Sequence, residues 1–278
     1  MTTRTVLYLG CLTGLFLGVG FLLDRQNGLV SALVLAAVMN VASYWFSDKI
    51  VLWMYRAKPL DEKTAPNVHA ILAEVARAMG VPKPPLYLVN LPVPNAFATG
   101  RNPAHAAVAV TKGILDLLDR DELKGVLAHE LSHVKNRDVL VSTIAAVIAG
   151  ALSVLVRMAY WGAGSRDRRN EGNAISFILL IVLTPLIALL LQLAISRSRE
   201  LLADETGARA IHNSKGLASA LEKLHLASKQ MPLLGTPSQN ATAHLFIVNP
   251  FSGSFLMKIF STHPPIDERI KRLTALEK

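Results

Sequence analysis

The apolar residues of this chain are gathered into long runs. Residues 6–23 carry no charged side chain, nor do residues 28–46, and only Asp24-Arg25-Gln26-Asn27 separates the two. A helix needs about 20 residues to cross about 30 Å of hydrocarbon, so each run is close to spanning length. Residues 139–162 and 174–196 make a second pair around the polar stretch 164–173. The pattern predicts four transmembrane helices in two hairpins. A cleaved leader fits the first run poorly. The run exceeds the about 7–15 apolar residues of a signal peptide, and Leu22-Leu23-Asp24-Arg25 is no small-residue cleavage site. Gly10, Gly14 and Gly18, four apart, offer a face on which another helix can approach closely. Arg157 is costly at mid-bilayer and tolerable near an end, so the second hairpin is also compatible with being partly sunk in protein.

Shorter patterns fill the rest. Residues 86–89, 96–99 and 106–111 are β-like runs bounded by Pro, Asn and Gly. Asp119, with Glu122 three residues on, is a helix start. Leu123, Val126, Leu127 and Val134 then supply an apolar face at helical period. The expected fold is α+β with transmembrane helices. A first hairpin (1–47) and a second (139–196) anchor one soluble domain, itself split into residues 48–138 and 197–278.

Composition agrees with that division. The chain has 278 residues, 51% hydrophobic and 18% charged, with mean hydropathy +0.37. Such a balance excludes a disordered chain. A single cysteine, Cys11, excludes a disulfide framework and a cysteine-only metal site, and inside an apolar run it is a small hydrophobe. The net charge of +9 has an address as well. Segment 48–138 carries 12 Lys and Arg and segment 197–278 carries 11. The positive-inside tendency therefore puts both in the cytoplasm, with only Arg166, Arg168 and Arg169 at the second hairpin tip opposing it. No basic stripe is interleaved with aromatics, so no nucleic-acid partner is expected.

One motif carries chemistry. His129-Glu130-Leu131-Ser132-His133 has the His-Glu-x-x-His spacing of zinc proteases. Residues four apart stack on one helix face, so both imidazoles can aim at one ion. Glu130 lies about 100° further round, able to reach a water beside the ion. Catalytic zinc usually takes three protein ligands, and Glu200, just after the fourth apolar run, is the candidate third. Asp204, one turn on, is suited to orienting a ligand imidazole. Two crossings separate the histidines from Glu200, which returns all three to one side of the membrane. Taken alone, Glu200 also reads as a solvated helix charge.

The set resembles the HtpX family of membrane zinc endopeptidases, related to the CAAX prenyl endopeptidases. It comprises the four runs, His129–His133, Glu200-Leu201-Leu202-Ala203-Asp204, Asn95-Ala96-Phe97-Ala98-Thr99-Gly100, and Thr262-His263-Pro264-Pro265-Ile266-Asp267-Glu268-Arg269. The resemblance implies one Zn²⁺ per chain in a zincin-like domain, and proteolysis at the cytoplasmic face of a bacterial inner membrane. It also implies a stress-response task, the quality control of damaged membrane proteins. It places Asn95, Ala96, Phe97, Ala98 and Thr99 against polypeptide substrate, where an exposed strand pairs with an extended backbone. The alternative is an ordinary loop-bounded strand. His263 is suited to stabilising an oxyanion and Arg269 to anchoring carboxylates near the site. Each equally fits a structural role in a Pro-rich turn. Outside proteases, a membrane-anchored adaptor or holdase with an inactive site is the competing reading. Charges at Asp119, Asp121, Glu122, Lys124, Lys135, Arg137 and Asp138 keep the motif out of bilayer depth.

Overall fold

The computed structural model describes residues 3–140, 142–144, 197–230, 245–247 and 264–276. The second hairpin expected at 139–196 falls almost wholly outside these, as do Arg157, the three arginines of its tip and His263.

Helix α1 spans Thr3–Trp45. It does not run straight. Arg25 adopts a left-handed φ of 36°, and Asn40 Nδ2 donates to Thr13 Oγ1 at 2.9 Å and to Leu9 O at 3.4 Å. Residues 31 apart would be about 46 Å apart in a straight helix, so the two apolar runs must lie side by side. Asp24–Asn27, the polar residues between the two runs, stay helical: helical turns continue into and out of the reversal. By length and composition, Arg25–Trp45 can cross a membrane. Val30, Leu33, Val34, Val38 and Val41 on it are each more than half exposed, which a core helix of a water-soluble domain would not allow.

Helix α2 (Ser47–Met54) follows, then the two-residue strand β1 (Lys58–Pro59) and helix α3 (Pro66–Met79), which opens on Pro66 and closes on a left-handed Gly80. Strands β2 (Leu86–Val89), β3 (Ala96–Gly100) and β4 (Ala106–Thr111) coincide with the three β-like runs. The sheet order is β1-β2-β4-β3. Its β2/β4 pair is parallel and the other two are antiparallel, which leaves β3 at an edge. Alternate residues face opposite layers. Leu86, Ala96, Ala98, Val108 and Val110 meet the main core, while Val89, Phe97, Ala107 and Ala109 meet Val51, Leu52, Tyr55, Leu245 and Phe246.

Helix α4 (Lys112–Leu117) is capped by Thr111, whose side chain accepts from Ile114 N–H. Helix α5 (Arg120–Lys135) begins with the expected reciprocal cap of Asp119 and Glu122. After the undescribed stretch come α6 (Arg197–Ile211), α7 (Ser214–Gln230) and α8 (Ile266–Ala275). Helix α5 is the axis of the domain: it packs on α3, β3, α6 and α7.

Candidate metal centre

His129 and His133 stand on α5, whose other buried positions are apolar apart from Glu122, Glu130 and Ser132. Facing them, α6 buries Glu200, Ala203, Asp204, Gly207, Ala208 and Ile211, a stripe at helical spacing of which half are Ala or Gly. Gly207 permits the approach. A Cβ there would lie 2.9 Å from Ala128 C, closer than real contacts allow, and a tight 3.0 Å from His129 N. Two charged residues within such a stripe need partners, and both have them across the helix pair.

The three candidate ligands converge. His129 Nε2 lies 3.2 Å from His133 Nε2 and 3.6 Å from Glu200 Oε2, and His133 Nε2 lies 3.4 Å from Glu200 Oε1. Tetrahedral zinc with bonds of about 2.0–2.1 Å sets its ligand atoms about 3.3–3.4 Å apart. Donor chemistry and spacing therefore both suit one small divalent cation, and the three residues could hold one.

Beyond these three residues, Asp204 Oδ1 faces His129 Nδ1 at 2.8 Å, while Arg269 donates to both Asp204 oxygens at 2.7 Å. With the Nδ1 proton given to Asp204, His129 keeps its Nε2 lone pair for a metal. Arg269, fully buried, also donates to Ile247 O at 3.2 Å. Burial alone would push the Asp204 carboxyl up, but the Arg269 guanidinium overrides it and holds the group at about 2. Burial likewise disfavours charge on His133. The Glu200 carboxylate outweighs that penalty and pushes the imidazolium up to about 10, with Asp138 assisting. His129 is also raised: burial opposes its charge and Asp204 prevails. A metal entering this site displaces protons from its own ligands.

Glu130 points elsewhere, to the edge strand. It is 6% exposed, and its Oε2 accepts from Ala98 N–H at 2.9 Å. Burial raises its pKa, countered in part by His129, His133 and that backbone donor. The strand expected to be exposed is instead buried throughout Ala96–Gly100, but since Ala98 N–H points away from β4, the backbone groups of Ala96, Ala98 and Gly100 turn to that same outward edge. Asn95, before the strand, takes its N–H to Thr111 Oγ1 at 2.8 Å, while its Oδ1 accepts from Ile247 N–H at 3.1 Å. Phe97 stacks at 5.1 Å on Tyr55, on the far face, and Thr99 Oγ1 meets Thr143 Oγ1 at 3.2 Å.

Of the residues singled out from the sequence, the structure thus brings His129, Glu130, His133, Glu200, Asp204, Arg269 and Ala98 into one cluster. Asn95, Phe97 and Thr99 support the strand with side chains turned from it. Asp138 was singled out only for its charge, yet its Oδ2 lies 3.7 Å from His133 Nδ1. Its signal was positional: five residues after a candidate ligand, just past the helix end.

The profile of peptidase family M48 matches residues 62–277. A relative named protease HtpX homolog from Syntrophobacter fumaroxidans is 53% identical over 279 residues, covering 98% of both chains. Another of that name from Pyrococcus furiosus is 54% identical over 275 residues, covering 97% of this chain and 94% of its own. Among solved structures, Ste24p of S. mikatae superposes with a TM-score of 0.53 at 17% identity. The match covers 95% of this chain but 62% of Ste24p, so it speaks to fold alone.

Proposed function

The chain belongs to peptidase family M48, and on that premise we propose that it is a membrane-anchored zinc endopeptidase. The observation that carries the reading is the convergence of His129, His133 and Glu200, from helices more than 60 residues apart, with Glu130 beside His129 on its helix and hydrogen-bonded to the edge strand. His129, His133 and Glu200 would hold the Zn²⁺. When bound there, the ion supplies Lewis-acid chemistry, lowering the pKa of a water to about 7 and polarising a scissile carbonyl. Asp204, fixed by Arg269, orients the His129 imidazole for this task. Glu130, buried and raised in pKa, accepts a proton as the water attacks and returns it to the leaving amine. An extended polypeptide adds to the outward edge of β3 by backbone pairing, which makes binding tolerant of sequence. His263 is proposed as a donor to the developing oxyanion.

The exposed apolar surface of Arg25–Trp45 supports insertion in a bilayer. Arg101, next after β3, stacks its guanidinium 4.4 Å from the Trp45 ring at the end of that span. The edge strand is thereby held beside the membrane surface, which favours membrane-protein substrates and a quality-control task. The basic excess of both soluble segments favours the cytoplasmic face.

The test is Glu130→Gln in the full chain. We expect folding and zinc content to be kept and cleavage of an unfolded polypeptide to fall about 100-fold or more. Glu200→Ala should lose zinc, whereas His105→Ala should retain it. Undiminished cleavage by Glu130→Gln would overturn the assignment.

A further inference from the structure

A second carboxylate–guanidinium pair stands against the other imidazole of the site. Helix α5 ends in a Schellman turn: Arg137 N–H donates to Val134 O at 3.1 Å and Asp138 N–H to His133 O at 2.9 Å. Arg137, at φ 59°, supplies the left-handed residue this turn requires. The reversal carries Asp138 back under the ligand whose own carbonyl it caps, and its Oδ2 lies 3.7 Å from His133 Nδ1. Arg199, the residue before Glu200, sets Nη1 3.4 Å from Asp138 Oδ1. The side chains of His133, Asp138 and Arg199 are 16%, 15% and 11% exposed, so water screens the group weakly.

His133 turns Nε2 toward Glu200 and His129, so Nε2 is the nitrogen offered to a metal. The ring proton must then sit on Nδ1, a donor in a mostly buried place that needs an acceptor. Asp138 is the carboxylate there. The order of groups matches, on the second imidazole, the chain Arg269–Asp204–His129 on the first, but with longer contacts: 3.7 Å and 3.4 Å against 2.8 Å and 2.7 Å. We propose that Asp138 is a positioning residue for His133, held in place by Arg199, so that both ligand imidazoles are braced by an arginine-bound carboxylate. The pair also closes the neck of the 61-residue separation between Asp138 and Arg199, tying the ends of that segment to ligand orientation. The inference rests on the proposed use of His129, His133 and Glu200 as Zn²⁺ ligands.

The experiment measures metal affinity in the full chain in detergent, stripped of metal and titrated with Zn²⁺ against a competing chelator. The absorption spectrum of the Co²⁺-loaded protein gives a second readout. Stoichiometric uptake by the unaltered chain is required first; without it the zinc reading itself fails. Asp138→Asn is the decisive variant. Asp138 also starts the next helical turn, its carbonyl accepting from Ser142 N–H at 3.2 Å, and Asn starts helices as well as Asp. A purely structural role therefore predicts unchanged zinc affinity. A positioning role predicts 10- to 100-fold weaker zinc binding, a changed Co²⁺ spectrum and an unaltered unfolding midpoint of the metal-free protein. Asp138→Glu, which keeps the charge and reaches further, should recover most of the loss. If Asp138→Asn does not fold, Arg199→Gln decides: several-fold weakening supports the proposal. Zinc affinity within twofold of the unaltered chain, in either folded variant, overturns it.

Discussion

Asp204 is the residue on which the electrostatics of the centre turn. Its folded pKa, about 2, lies below the ordinary aspartate value of about 3.9, so it binds fewer protons folded than unfolded. The stabilisation from this shift is fully present above about pH 4 and is lost as pH falls toward 2, about 2 kcal/mol in all. Asp204→Asn leaves the buried Arg269 uncompensated and should cost about 3–5 kcal/mol at neutral pH. Thermal unfolding of the two metal-free proteins checks the sign: the gap between them should narrow by about 2 kcal/mol from pH 5 to pH 2. A gap constant with pH would refute the linkage. Gly207 makes a steric prediction. A methyl there meets the Ala128–His129 backbone, which cannot yield without moving the ligand helix. Gly207→Ala should destabilise by about 1–3 kcal/mol and weaken zinc binding with it, read by the same competition titration. Sequence alone placed Asp204, because one helical turn from Glu200 is local information. It did not reveal Gly207, because a glycine in a helix looks the same whether it faces water or another backbone.

At the scale of elements, β3 is where the sheet meets the chemistry. Its N–H groups alternate between the β4 ladder and the outward edge, with Ala98 outward and Phe97 inward. Ala98→Pro removes a donor that the ladder does not use, and proline is tolerated on an edge. This variant should keep its fold and lose at least about 10-fold in peptide cleavage, since Glu130 loses the donor that orients it and the proline ring obstructs the edge where a strand would add. Phe97→Pro removes a ladder donor and the ring packed on Tyr55, and should fail to fold. Circular dichroism with a cleavage assay separates the two, and full activity of Ala98→Pro would remove the edge from substrate binding. Strands β2, β3 and β4 and the cap of α5 were legible because turn residues and capping chemistry act within a few positions. The two-residue β1 and the order β1-β2-β4-β3 were not, because pairing between distant segments leaves no local mark. The reversal inside α1 was half legible: the charged break at Asp24–Arg25 marks where the chain turns, but helix through the turn depends on the backbone of Arg25.

For the whole molecule, the site exists only because two segments far apart in sequence meet, and the reversal of α1 predicts on which side of a membrane they should do so. Thr3 and Trp45 lie at the same end of the reversed α1, so the Asp24–Asn27 turn is at the opposite end from α2 and the catalytic domain. The domain-facing end carries the basic excess, and a cation near the anionic cytoplasmic leaflet is favoured by about 1 kcal/mol each. The turn should therefore face outward and the domain inward. The chain's single cysteine makes this measurable: with Cys11 replaced by Ser, new thiols can be placed one at a time. Asn27 and Glu62 are both exposed, one on the turn and one in the domain. In intact cells, a membrane-impermeant maleimide should label Asn27→Cys and leave Glu62→Cys untouched until the membrane is opened. The reverse pattern would put the domain outside. Labelling of both in intact cells would mean that α1 does not span, and the exposed valines of Arg25–Trp45 would then need another apolar partner, such as a second copy of the chain.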